Sequence, residues 1–113
     1  MFKGVSHRFH RGNKMADEND IAVAVMQIAL NQPNGVDTFI RAKREVPNLV
    51  NLTKQNLAQS TTRNGEPMWH QLLRNIKSHY KADTNFIYLG YLQHVPGKGY
   101  AITKKGIAYL KAN

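Results

Sequence analysis

The side chains with chemistry to offer are gathered in one stretch of the sequence, residues 66–105, and most of them are hydrogen-bond donors. Between Pro67 and Tyr80, the apolar residues Trp69, Leu72, Leu73, Ile76 and Tyr80 recur at steps of 3, 1, 3 and 4 residues, the stripe of an amphipathic helix. The opposite face of that helix carries His70, Gln71, Arg74, Lys77, Ser78 and Lys81, none of them acidic. Such side chains can hold phosphate oxygens. In a major groove an arginine can also bridge guanine O6 and N7, and a glutamine adenine N6 and N7. Farther on, Pro96-Gly97-Lys98-Gly99 joins two short strand-like runs, Tyr91–Val95 and Tyr100–Thr103. The two glycines are expected to supply the positive φ angles of a tight hairpin and to leave Lys98 projecting at its tip. Thr103 then caps a last helix with Lys104 and Lys105 in its first turn, where cations oppose the helix dipole. Contact with a phosphate would offset that cost.

Other chemistries lack their residues. Of seven Asp and Glu, five fall within residues 17–45 as caps or helix-surface groups, which leaves only Glu66 and Asp83 near the basic stretch. There is no pair of carboxylates for acid–base work, no D…ExK pattern and no GxxxxGK[ST] phosphate loop. With no cysteine there is no thiol nucleophile, disulfide or zinc finger. His7 and His10 stand three apart but have no further ligands to complete a metal site. The expectation is a protein that is not an enzyme and uses no cofactor and no metal.

At 113 residues and 42% hydrophobic content, the chain fits one domain with a core of its own. No run approaches the roughly 20 apolar residues of a membrane span, and the longest, IAVAVM, stops at Gln27. No apolar segment follows Lys3, Arg8 and Arg11, so no secretory signal is read and a cytoplasmic location is expected. The net charge of +9 is unevenly spread: +4 over residues 1–15, −2 over 16–53 and +7 over 54–113. Cations concentrated in this way draw in polyanions, with nucleic acid the leading class and an anionic membrane surface second.

The elements that must position these residues follow from the rest of the sequence. Residues 1–16 have no helical or strand period and read as a flexible basic arm. Asp17, Glu18 and Asp20 open a first helix whose face is Ile21, Val25, Ile28 and Ala29; Asn31-Gln32-Pro33-Asn34-Gly35 ends it. Val36 suits a short strand. Asp37 or Thr38 caps a second helix with Phe39, Ile40 and Ala42 as its apolar positions and Arg41, Lys43 and Arg44 outside, closed by Pro47. A third short helix is expected from Thr53 to about Ser60, with Leu57 facing inward and Leu52 packing before it; a turn follows over Thr61–Gly65. Pro67 takes the first position of the basic helix. This pattern is mainly α with a small β-hairpin, an α+β winged helix-turn-helix: a 1–16 arm and a single 17–113 domain.

The segments LTKQNLAQ, EPMWHQLLRNIKSH and GYLQHVPGKGYAIT with KKG after it resemble the N-terminal winged-helix domain of Mrr-type restriction proteins and related stand-alone winged-helix proteins. The likeness spans roughly residues 18–110. It implies that Trp69 packs inward at the start of the recognition helix, and that the chain binds double-stranded DNA without cutting it. Such a protein would act as a transcriptional regulator or mobile-element accessory. Tyr80–Leu89 is longer than the family's turn between helix and wing, and its Phe86, Ile87, Tyr88 and Leu89 need either an extra packed turn or a partner. The alternative function is therefore a protein-interaction module, a homodimer above all, with Phe86 and Tyr88 as contacts.

Overall fold

Helix α1 (Glu18–Leu30) runs through the centre of the molecule, in a computed structural model that describes residues 14–112. Its start is set by a reciprocal cap: the Asp20 amide donates to Asp17 Oδ1 at 2.9 Å, and the Asp17 amide donates to Asp20 Oδ2 at 3.0 Å. The expected stripe is buried, and so are Ala22, Ala24 and Met26, which lie off it. The helix is covered on several sides because the helices Trp69–Ser78 and Lys104–Ala112 and the sheet all pack on it, and its alanines let them approach closely.

Gly35 turns the chain at φ +69° into strand β1 (Val36–Thr38). Thr38 Oγ1 accepts from the Arg41 amide at 3.1 Å and so caps α2 (Phe39–Glu45). A single 3-10 turn, Val46–Asn48, contains Pro47 and closes that helix. Ala42 and Val46 face the core, but Ile40, expected there, is 76% exposed. With only seven residues, α2 offers one narrow buried stripe, and Ile40 falls two positions from Ala42 on its outer side.

Helix α3 (Lys54–Leu57) is a single turn capped by Thr53, shorter than the expected run to Ser60 because Ala58 is already extended. Its inward residue is Asn56, not Leu57, which is 54% exposed. Asn56 Oδ1 accepts from the Ala16 amide at 3.0 Å, and Nδ2 donates to the Ala16 carbonyl at 3.2 Å. This pair of bonds brings Ala16, assigned by sequence to the arm, into the core. Residues 1–13 of that arm, His7 and His10 included, lie outside the described residues.

Residues 59 and 67 form an isolated bridge, supported by Ser60 N to Glu66 O and Met68 N to Ala58 O, both 2.7 Å. Pro67 therefore serves this bridge instead of opening the helix. Helix α4 (Trp69–Ser78) is consequently shorter than the expected 66–80. Trp69, Leu73 and Ile76 are buried and Leu72 partly so, whereas Tyr80 lies past the helix end at His79 and is 49% exposed.

The hairpin strands β2 (Leu92–Val95) and β3 (Gly99–Ile102) form, and β1 joins them in an antiparallel sheet of order β1-β3-β2. A third strand thus supports the hairpin along β3, with Val36 opposite Ala101 and Thr38 opposite Gly99. Only the first glycine of the turn has a positive φ, Gly97 at +74°. Gly99 is there for proximity instead: a Cβ at this position would overlap the Asp37 carbonyl of β1. Last comes α5 (Lys104–Ala112), where Thr103 Oγ1 accepts from the Gly106 amide at 2.9 Å, as a cap should.

In the long Tyr80–Leu89 segment Asn85 and Phe86 are buried and Ile87 and Leu89 partly so, while residues 80–84 and Tyr88 are exposed. Phe86 is 5% exposed and meets Tyr91 and Tyr109 edge-on at 5.2 and 5.5 Å. Its burial removes it from the expected partner contact, while Tyr88 does face solvent. Among the described residues the fold is α+β, five helices around a three-stranded antiparallel sheet. No helix in that set is long and apolar enough to cross a membrane.

Candidate nucleic-acid interface

Helix α4 is fastened from three directions, which leaves one face outward. From the sheet, the buried Tyr100 hydroxyl donates to the Leu73 carbonyl at 2.7 Å, and burial pushes its pKa up to about 12. From the following turn, Asn85 Nδ2 donates to the Ile76 carbonyl at 2.8 Å and to Glu18 Oε2 at 3.0 Å. From α1, Glu18 Oε1 meets His79 Nδ1 at 2.6 Å. Asn85 also closes its own turn, since its Oδ1 accepts from the Ile87 and Tyr88 amides at 2.7 and 3.0 Å. A polar side chain buried in this way is tolerable because both ends of the amide are satisfied.

The outward face carries a chain of polar contacts that sequence periodicity did not reveal. Arg74 Nη1 donates to Glu66 Oε1 at 2.9 Å, and Nη2 donates to Gln71 Oε1 at 3.0 Å. Gln71 Nε2 in turn donates to Asn75 Oδ1 at 2.8 Å. The bonds from Arg74 hold the Glu66 carboxyl below the usual carboxylate range. Arg74 is thus partly buried and ion-paired, contrary to the expectation of a free cation on an acid-free face. The Glu66–Arg74 spacing of eight residues crosses the helix start and follows no helical period, so no pattern search would link the two. The Gln71–Asn75 pair at i, i+4 was legible in principle.

His70 also differs from expectation. It packs edge-on to Trp69 with ring centroids 4.6 Å apart, and its Nδ1 is buried without a hydrogen-bond partner among the described residues. Burial, with Lys43 adding to it, lowers its pKa and so favours the neutral ring over a phosphate-binding cation. Gln71, Lys77, Ser78 and Lys81 are exposed as expected, although the Ser78 hydroxyl donates to the Arg74 carbonyl at 3.3 Å.

The remaining cations stand on other elements. Lys98 is exposed on the hairpin turn, whose backbone is tied to α2 because the Phe39 amide donates to the Lys98 carbonyl at 2.9 Å. Lys104 and Lys105 are exposed at the start of α5, and Lys105 Nζ lies 5.8 Å from the centroid of the Tyr91 ring, which offsets part of its dipole cost. Among the described residues no three His, Asp or Glu are grouped to hold a metal ion. What the surface offers is amides and ammonium groups, suited to binding anions and polar edges.

No protein-family model, curated protein or solved structure matches this chain.

Proposed function

We propose that this chain is a winged-helix protein of the Mrr N-terminal type that binds double-stranded DNA without cleaving it. Helix α4 enters the major groove and the β2–β3 hairpin rests on the phosphate backbone. One observation carries the reading: α4 buries its apolar face under α1 and β3, presents amides and cations outward, and leads through one packed turn to a hairpin with a lysine at its tip. The element order and the β1-β3-β2 sheet agree with a winged helix, and seven of the nine net charges arise in residues 54–113. The ligands named for phosphate are Lys77, Lys81, Lys98, Lys104 and Lys105. A regulatory or mobile-element role would follow from such binding.

A protein-interaction role keeps Tyr88, which is exposed, and loses Phe86 to burial. The two readings separate in one pair of measurements, duplex binding by anisotropy and mass in solution by light scattering. Substituting Lys77 or Lys98 with Ala should weaken duplex binding with little change in Tm. A stable dimer with no duplex affinity would instead select the interaction module.

A further inference from the structure

We infer that α4 reads adenine through Gln71 and Asn75, and that Arg74 is a positioning residue held by Glu66 instead of a guanine contact. The inference rests on the DNA-binding reading above and concerns what that site prefers. A guanine edge in the major groove offers two acceptors, O6 and N7, and is matched by two donors from one guanidinium fork. In this protein each terminal nitrogen of Arg74 already spends one of its two N–H groups, one on the Glu66 carboxylate at 2.9 Å and the other on Gln71 Oε1 at 3.0 Å, so the fork is pinned in place although N–H groups remain on it. Swinging the fork onto a base would break an ion pair that is partly shielded from water, and would leave Glu66 facing the DNA.

The amides differ in keeping an acceptor as well as a donor. Gln71 uses one N–H on Asn75 and one oxygen lone pair on Arg74, which leaves one donor and one acceptor site. Asn75 uses only a lone pair of Oδ1 in this chain of contacts, so it too keeps donor and acceptor capacity. One donor beside one acceptor in a single amide plane is the complement of adenine N7 and N6. The Arg74 contact also fixes which way round the Gln71 amide sits, since its oxygen must face the guanidinium. Asn75 was not among the side chains singled out by sequence, and it becomes the second base-reading residue.

The test is selection from a randomised duplex library at fixed salt, with the parent, Asn75→Ala, Gln71→Ala and Glu66→Gln. The parent pool should be enriched in adenine at one or two positions, and each amide variant should lose that enrichment by about tenfold. Glu66→Gln should leave Tm nearly unchanged and move the enriched base from adenine towards guanine by freeing Arg74, a shift that a purely structural role for Glu66 would not produce. A parent that binds without base preference, or that enriches guanine, overturns this inference alone. A parent that retains no duplex at low salt overturns the DNA-binding reading with it.

Discussion

Asp37 is the residue whose surroundings conflict most with its chemistry. It is 1% exposed, and neither carboxyl oxygen has a hydrogen-bond partner among the described residues. Burial pushes its pKa up to about 7, against the partial pull of Arg41 and Arg44 and with a further push from Glu45. The unfolded chain gives up this proton near 3.8, the folded chain only near 7. The native state therefore binds the extra proton between those limits, and the stability held at acid pH is lost as pH rises through that window. Asp37→Asn keeps the neutral form at every pH. Its Tm should exceed the parent's by a margin that grows from about pH 4 to pH 7 and is flat above, worth on the order of 2–4 kcal/mol at the plateau. Chemical denaturation of both proteins across that range checks it, and a margin that does not depend on pH would show that Asp37 is ionised and paired. At the same scale, the conflict between Arg74 as a free cation and Arg74 in an ion pair is decided by Glu66, one of the two acids near the basic stretch.

At the scale of elements, caps and hairpin were the legible part. Thr103 caps the helix assigned to it, Thr38 does so where Asp37 was the alternative, and Asp17 and Thr53 cap helices expected to open at or beside them, because a cap is set by residues within one turn of each other. What escaped was every feature fixed by distant chain. Leu57 was assigned inward because it is apolar, yet the buried position of that single turn goes to Asn56, which is satisfied by Ala16 forty residues away. Pro67 has good helix-start chemistry, but a bridge to Gln59 claims it. The two hairpin glycines look equivalent in sequence and are not. Gly97→Ala meets only a positive φ and should cost about 1–2 kcal/mol, whereas Gly99→Ala must push β1 off β3 and should cost about 3 kcal/mol or more, or fail to fold. Comparing their unfolding midpoints tests whether β1 is truly the third strand. In the long turn after α4, Asn85→Ala strands two amides, a helix carbonyl and Glu18, and should lose about 2–4 kcal/mol. A loss under about 0.5 kcal/mol would mean that the turn is loosely attached and its apolar residues serve something else.

For the whole molecule, the proposed DNA binding is supported by the uneven charge, with +7 of the net +9 in residues 54–113. Of the nine side chains assigned from sequence to DNA contact, Lys77, Lys81, Lys98, Lys104 and Lys105 remain exposed cations, Gln71 and Ser78 remain exposed and polar, and His70 and Arg74 are withdrawn by burial and pairing. The candidate site was thus readable where it depends on composition and helical period, and unreadable where loop 59–68 folds back beside α4. Five lysine–phosphate contacts would release counterions on binding, so the logarithm of affinity should fall with the logarithm of salt with a slope of roughly −3 to −5. The most direct measurement is therefore a salt titration of binding to random-sequence duplex DNA, beside single-stranded DNA and duplex RNA, for the parent, Lys77→Ala and Lys98→Ala. The account predicts tightest binding to duplex DNA, a slope in that range, and a slope shallower by about one in each variant with Tm little changed. Equal binding by all three proteins at every salt concentration, or no preference for duplex DNA, would contradict it.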